Sequence, residues 1–213
     1  MKLVVGAFVS LDGVMQGPGG PDEDREGGFD LGGWVVPYAG DDMGKFVVES
    51  ITQTDALLLG RKTYEIFAAH WPLVTDENDP IATKLNSMPK YVASRTLDKV
   101  EWNNSTLLRG DVAEAVVELK RQRGGVLQTQ GSTELAQTLI RHDLVDEYRI
   151  LVFPVVLGTG KRLFREGSPP SALRMVDATT TSTGVAIHTY ESAGKPTFGE
   201  FEVDRDERFW ESS

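Results

Sequence analysis

Segment 126–141, VLQTQGSTELAQTLIR, constrains the fold of this chain more than any other stretch. Apolar and polar residues alternate at its start, the chain turns at Gln130-Gly131, and apolar residues then recur at helical spacing behind a predicted cap at Ser132 and Thr133. A strand that enters a helix through a glycine turn leaves the first N–H groups of that helix free to bind an anion. A nucleotide pyrophosphate is a common ligand of this turn in α/β proteins. The segment therefore predicts an α/β fold, although a plain strand–helix connection has the same pattern.

Two further predicted strands end in polar junctions of the same kind. The apolar run 55–60 leads into Gly60-Arg61-Lys62-Thr63 and a helix, and the strand 90–93 leads into Ser94-Arg95-Thr96. Arginine suits a phosphate because its planar guanidinium donates two parallel hydrogen bonds. Because parallel strands end at one edge of a sheet, the three junctions predict a polyanion site at that edge. The alternative is that these cations only balance acidic groups on the surface.

The rest of the chain predicts one domain, 1–213, with a mixed sheet. A buried first strand at 3–11 precedes a loop at 16–33 that is rich in glycine, proline and acidic residues, and a helix at 41–53 follows. Long loops in compact domains tend to cover active sites. The region 173–203 alternates in the manner of antiparallel strands. Parallel strand–helix units followed by antiparallel strands predict the mixed sheet.

Composition excludes several classes of function. The formal net charge of −10 argues against nucleic acid and anionic membrane as partners, so an anionic ligand must be attracted by a local cluster of cations. The absence of cysteine excludes disulfides, thiolate metal ligands and a cysteine nucleophile, and no metal site is predicted. Met1-Lys2 leads directly into a strand, and no apolar run is long enough to span a bilayer. We therefore expect a cytoplasmic protein that acts on a small molecule.

Three aspartates are candidates for a catalytic acid. Asp41 and Asp42 fall in the first turn of the predicted helix 41–53, where an acid either complements the helix dipole or faces a pocket as a proton donor. Asp12 falls in the turn after the first strand, where it either stabilises the turn or donates a proton. Asp42 is the preferred candidate.

The order and spacing of several motifs resemble the dihydrofolate reductase-like superfamily. They are most similar to the branch typified by the C-terminal reductase domain of RibD, the bacterial riboflavin-biosynthesis deaminase-reductase. The motifs are VSLDG at 9–13, LLLGRKTYE at 57–65, ASRTL at 93–97, QGSTEL at 130–135 and LVDEYRILVFPVVLGTGKRLF at 144–164. The resemblance implies an eight-stranded, mostly parallel mixed sheet flanked by helices, an antiparallel C-terminal hairpin, and an NADPH site along the strand ends.

The resemblance also assigns cofactor-binding positions, three groups at the strand ends and one beside the nicotinamide. They are Gly60, Arg61, Lys62 and Thr63 at the cofactor phosphates; Ser94 and Arg95 near the adenosine 2′-phosphate; Gln130, Gly131, Ser132 and Thr133 at the pyrophosphate; and Ala7, Met15 and Gln16 beside the nicotinamide. The first three groups coincide with the three strand ends predicted above to face an anion.

The sequence departs from folate reductases at two places. Gln130-Gly131 replaces a double glycine that often contains a cis peptide bond, and Ile150 replaces the hydroxyl residue that supports the catalytic acid. Asp41 and Asp42 are also shifted in spacing from that acid, so folate is not the expected substrate. The zinc-binding deaminase half of the riboflavin enzyme is not expected in a chain without cysteine.

The resemblance implies an NADPH-dependent reductase that transfers a hydride to a C=N or C=O carbon. The expected substrate is a heterocycle or a ribosylaminopyrimidine, as in the 5-amino-6-(5-phosphoribosylamino)uracil reductases of riboflavin biosynthesis. The alternative is a regulatory module that binds NADP(H) without turnover. A homodimer is expected from the family resemblance alone.

Overall fold

A computed structural model describes residues 1–200. The strands are β1 (Lys2–Ser10), β2 (Ala56–Gly60), β3 (Lys90–Ala93), β4 (Ser105–Leu108), β5 (Val126–Gln130), β6 (Glu147–Phe153), β7 (Leu173–Thr180) and β8 (Ala186–Ser192). The helices are α1 (Asp41–Thr52), α2 (Arg61–His70), α3 (Pro80–Ser87), α4 (Val112–Arg121) and α5 (Thr133–Arg141). The last part of the predicted domain, including the end of the strand-like region 173–203, lies outside the described residues.

The eight strands form one sheet in the order β4-β3-β2-β5-β1-β6-β8-β7. The six strands from β4 to β6 pair in parallel, whereas β8 runs antiparallel to both β6 and β7. Helices flank this sheet, since parallel strands need crossover connections. The predicted mixed, mostly parallel sheet with an antiparallel C-terminal hairpin is therefore confirmed.

The core is divided between the two faces of the sheet. In β2, Leu58 packs into the cluster that also contains Leu3 and Val5 of β1, while Leu57 and Leu59 pack into a second cluster on the other face. All three leucines of β2 are fully buried. This is why β2 has a continuous apolar sequence, which is typical of a parallel strand covered on both faces.

The register of the parallel strands brings their carboxyl ends to one edge. Gly60 of β2 lies opposite Ala93 of β3, and Gly6 of β1 lies opposite Gln130 of β5. The segments that follow β2, β3 and β5 therefore leave the sheet side by side. Among residues 1–200, no helix combines the length and the apolar character needed to cross a bilayer.

Lys90 of β3 is a fully buried cation. Its ammonium group donates hydrogen bonds to the carbonyl oxygens of Leu85 (2.6 Å) and Met88 (2.8 Å) and lies 4.2 Å from the ring centroid of Trp102. Within residues 1–200 it has no carboxylate partner. Burial disfavours the charged form and lowers the pKa of Lys90 to about 8.

Lys90 gives the stability of the protein a measurable pH dependence. Between pH 8 and 10.5 the unfolded chain keeps a proton on Lys90 that the folded chain has released, so the free energy of unfolding rises with pH. The contribution is at most about 1.4 kcal/mol per pH unit. We expect this slope in the wild type and not in Lys90→Met, as measured by denaturant unfolding across that range. Parallel pH profiles for the two proteins would contradict the assignment.

Candidate active site

A cavity of about 960 Å³ opens at the carboxyl edge of the parallel strands. It is lined by segments 15–19, 60–63, 93–96, 110–112 and 130–135, together with residues that include Gly6, Phe8, Glu23, Asp24, Glu26, Val35, Arg141 and Lys161. The three predicted junctions, after β2, β3 and β5, all contribute to this one lining. The volume is near the upper end of the range for ligand pockets and is therefore sufficient for an extended ligand.

Ser132 connects two of the junctions directly. Its hydroxyl oxygen accepts a hydrogen bond from the backbone N–H of Gly60 (2.9 Å), and its O–H donates to Thr63 Oγ1 (2.7 Å). A Cβ atom at position 60 would lie only 2.9 Å from Ser132 Cβ and Oγ. The close approach of the β2–α2 and β5–α5 connections therefore requires glycine at position 60.

The turn before α5 differs in detail from the prediction. Ser132 is the first flanking residue of α5, but its side chain makes no capping hydrogen bond, because the hydroxyl is directed to Gly60 and Thr63 instead. Gly131 and Ser132 both have a φ of 61°, in the left-handed region. No peptide bond within residues 1–200 is cis, so Gln130-Gly131 does not reproduce the cis double glycine of folate reductases. The two successive left-handed residues make the turn.

The cations of the lining differ in their partners. Arg61 forms an ion pair with Glu65 (3.0 Å), whereas the side chains of Arg95 and Arg141 have no hydrogen bond or ion pair within residues 1–200. Lys62 and Lys161 are both bound to acidic residues of the loop that follows β1. Arg61, Lys62 and Arg95 were predicted from the sequence, whereas Arg141 and Lys161 were not, since Arg141 ends a helix and Lys161 follows a glycine turn.

The alternation of β1 determines which of its residues reach the cavity. Gly6 and Phe8 line it, whereas Ala7 is directed to the opposite face and is buried with Val5 and Val9. Successive side chains of a strand point to opposite faces of the sheet. Ala7 therefore faces away from the cavity and its side chain lies outside the lining, whereas its neighbours Gly6 and Phe8 face the cavity and belong to the lining. The place of Ala7 beside the nicotinamide stays a prediction.

The predicted positions Met15 and Gln16 both line the cavity. The side-chain amide of Gln16, however, is already hydrogen-bonded to the protein through both its nitrogen and its oxygen. Gln16 Nε2 donates to the carbonyl oxygens of Asp24 (3.1 Å) and Glu26 (2.9 Å), and its Oε1 accepts from the backbone N–H of Lys161 (3.0 Å). Gln16 therefore fixes the acidic loop at the mouth of the cavity.

Asp12 stabilises a loop connection away from the cavity. Its carboxylate accepts hydrogen bonds from the Ser10 hydroxyl (2.7 Å) and from the N–H groups of Leu157 (3.0 Å) and Gly158 (2.9 Å). The Ser10 hydroxyl and these two amides hold the pKa of Asp12 well below its usual range. The predicted proton donor Asp12 is thus placed as the turn-forming residue that the sequence analysis gave as its alternative.

Asp41 and Asp42 also lie outside the cavity lining. Asp42 accepts hydrogen bonds from the backbone N–H (2.7 Å) and the hydroxyl (3.1 Å) of Ser182, which lies in the turn between β7 and β8. The Ser182 amide lowers the pKa of Asp42, and Asp41 is exposed at the start of α1. The first turn of α1 faces the C-terminal hairpin, so the structure brings none of the three predicted acids to the predicted cofactor site.

Glu23 is an acid of the lining that the sequence analysis missed. Its Oε2 atom accepts hydrogen bonds from the backbone N–H groups of Gly19 (2.5 Å) and Gly20 (3.2 Å), and burial raises the pKa of Glu23 above its usual value. A raised pKa in a cleft is typical of a general acid. Glu23 lies in the loop that was predicted to cover the site, but no local pattern distinguishes it from the other acids there.

The sequence profile of the RibD C-terminal domain family matches residues 1–187. The chain belongs to this family. Membership of this family supports a reductase-type function for the chain.

Relatives and solved structures extend this result. The uncharacterized protein YyaP of Bacillus subtilis (strain 168) is 30% identical over 198 residues, which is 91% of this chain and 96% of YyaP. The crystal structure of a putative riboflavin biosynthesis protein from Shewanella sp. PV-4 superposes with a TM-score of 0.66 and 23% identity, covering 90% of this chain and 99% of that protein. Dihydrofolate reductase from Enterococcus faecalis, complexed with NADP(H) and RAB-propyl, superposes with a TM-score of 0.58 and 15% identity, covering 90% and 96%. The predicted dihydrofolate reductase-like fold is confirmed.

The contact between Gly60 and Ser132 can be tested by adding one methyl group. We expect Gly60→Ala to lower the free energy of unfolding by about 1–3 kcal/mol, because the new Cβ meets a short side chain that cannot move away. Gly44→Ala is the matched control, since position 44 lies within α1 with no atom within 4 Å of an added Cβ. The control should gain about 0.5–1 kcal/mol from helix propensity. Equal effects of the two substitutions in denaturant unfolding would contradict the packing argument.

Proposed function

We propose that this RibD C-terminal domain protein is an NADPH-dependent reductase that transfers a hydride to a C=N or C=O carbon of a heterocyclic substrate. The observation that supports this most strongly is the meeting of Gly60, Ser94 and Gly131 in the lining of one cavity. These residues follow three different strands, and each stands beside hydroxyl or cationic side chains suited to phosphate. Ribosylaminopyrimidines, with and without a 5′-phosphate, are the first substrates to test.

The chemistry of the lining fits a phosphorylated dinucleotide. The N-termini of α2 and α5 both open onto the cavity, and their unpaired N–H groups favour anions. Thr63 and Thr133 add hydroxyl donors at these two termini. Arg95 adds a guanidinium without an ion-pair partner among residues 1–200. This local cluster is what a protein of net charge −10 needs in order to bind a polyanion.

The side chains near β1 supply the environment for reduction. When bound, the cofactor supplies the hydride from its nicotinamide. Phe8, Met15 and Val35 form apolar surface at this end of the cavity and exclude water from the reacting carbon. Glu23 holds a proton more firmly than an exposed glutamate and donates it to the substrate atom next to that carbon.

Arg95 tests the cofactor assignment. We expect Arg95→Ala to weaken NADPH binding by about 10- to 100-fold, because a charged hydrogen bond to phosphate contributes about 1.5–3 kcal/mol. NADH, which lacks the 2′-phosphate, should be affected much less. Fluorescence titration with both cofactors gives the two dissociation constants, and Arg123→Ala is the control because that exposed arginine is outside the lining. Unchanged NADPH binding, or equal weakening of NADH binding, would argue against the assignment.

Glu23 tests the proton donor. We expect Glu23→Gln to lower kcat by about 100-fold or more while NADPH binding is unchanged, since proton donation contributes at least this much in comparable enzymes. The wild-type rate should fall as pH rises through the raised pKa of Glu23, and the variant should lose this dependence. Stopped-flow or steady-state NADPH oxidation with pyrimidine, pterin and quinonoid substrates measures both. Asp42→Asn is the control, and a larger loss in this control would assign the role to Asp42 instead.

A regulatory module that binds NADP(H) without turnover is the second candidate. The observation in its favour is that Asp12, Asp41 and Asp42 all serve loop or helix-end contacts outside the lining. NADPH binding that is sensitive to Arg95→Ala, combined with no oxidation across the substrate panel, would favour this module over the reductase.

A further inference from the structure

Four charged side chains form a closed cluster at the mouth of the cavity. Lys62 Nζ lies 3.0 Å from a carboxylate oxygen of Asp24 and 2.5 Å from one of Glu26, and Lys161 Nζ lies 2.7 Å from each of the two carboxylates. Each lysine thus contacts both acids, and each acid contacts both lysines. We call these four residues the loop cluster, since Asp24 and Glu26 belong to the acidic loop after β1.

The loop cluster is held in place by the backbone and not only by its charges. Gln16 binds the carbonyl oxygens of Asp24 and Glu26 and the N–H of Lys161, and it is almost fully buried. The indole N–H of Trp34 in turn donates to the carbonyl oxygen of Gln16 (2.8 Å). The two acids are therefore positioned beside the two lysines by an uncharged, buried framework.

The other end of the cavity has the opposite character. Arg95 follows β3, which is three strands from β1 in the sheet and therefore roughly 14 Å away at the usual strand spacing. Its guanidinium has no carboxylate partner within residues 1–200. The cavity thus has an open cation at the end toward β3, whereas the two lysines that contact the acidic loop after β1 are already neutralised.

The charges around the β1 end leave no excess of positive charge. Asp24 and Glu26 balance Lys62 and Lys161, and Glu23 adds no positive charge in either protonation state. A phosphate placed here would have to separate a lysine from two carboxylates, and the loss of a lysine partner is costly for Asp24, whose side chain is mostly buried. If a cofactor phosphate takes Lys62, Asp24 and Glu26 retain only Lys161, and an excess of negative charge results.

We propose that the β1 end of the cavity accepts an uncharged or cationic heterocycle and excludes phosphorylated compounds. The loop cluster is the specificity determinant, because its acids occupy the two lysines that a substrate phosphate would need. The substrate is therefore of the base or nucleoside class and not of the nucleotide class. This inference rests on the proposed function, which assigns the strand ends toward β3 to the cofactor.

The decisive experiment removes the ion-pair partners of Lys62 and Lys161. Asp24→Asn combined with Glu26→Gln keeps the shape of both side chains and removes their charge. We expect this double variant to bind inorganic phosphate at least 10-fold more tightly than the wild type, as measured by calorimetry at constant ionic strength with NADP⁺ present. Glu101→Gln combined with Glu118→Gln is the control, since it removes two exposed acids that each pair with one neighbouring cation outside this cavity.

Two results would overturn the inference. The first is equal phosphate affinity in the wild type and the double variant, and the second is an equal gain in the control, which would show an effect of net charge alone. The measured quantity is the difference in phosphate affinity between the wild type and the double variant. This difference is informative even if the protein binds no NADPH and the proposed function fails.

A measurement on the unaltered protein gives a second test in case the double variant does not fold. Uridine and uridine 5′-phosphate are compared by the rise in Tm that each produces in the presence of NADP⁺. A larger rise with uridine supports exclusion of phosphate, and a larger rise with uridine 5′-phosphate overturns it. A protein that binds NADPH and prefers the phosphorylated nucleoside would keep the proposed function and lose this inference.

Discussion

The contact between Gly60 and Ser132 is the constraint on which the site depends. The β2–α2 and β5–α5 connections approach so closely that the Ser132 hydroxyl accepts from the Gly60 amide and donates to Thr63. Neither connection alone forms a site, because each provides only one helix N-terminus. Their contact fixes both termini against each other and gives the cavity its floor of backbone and hydroxyl groups.

The acidic loop after β1 determines the distribution of charge in this cavity. A chain with a net charge of −10 does not attract anions through its overall field, so each cation of the lining is important. The loop cluster pairs two of these cations with Asp24 and Glu26, whereas Arg95 and Arg141 have no such pair within residues 1–200. The same loop carries Glu23, whose burial keeps its proton more firmly bound. The acidic loop therefore decides which cations of the cavity are neutralised and which remain without a carboxylate partner.

The sequence predictions succeeded where local patterns carry the information. The apolar run of β2, the glycine turn at Gln130-Gly131 and the polar ends of three strands predicted the sheet and its functional edge, because parallel strands must end together. They missed residues where one position or one long-range contact decides the outcome. Gly6 and Phe8 of the lining were not predicted, because alternation in a strand gives two faces without saying which one is covered by the loop.

The sequence by itself determined the α/β class, the mixed sheet and the set of junctions that could face a phosphate, because these follow from periodicity and from glycine in turns. Only the tertiary structure decided which acids reach the cavity. Asp12 and Asp42 have the residue type of a proton donor, but their partners, Leu157, Gly158 and Ser182, lie far away in the chain and hold them in structural contacts. Lys62 and Lys161 are likewise joined only by the folded loop. The role of a charged side chain depends on the groups within a few ångströms of it, and those groups come together only when the chain has folded.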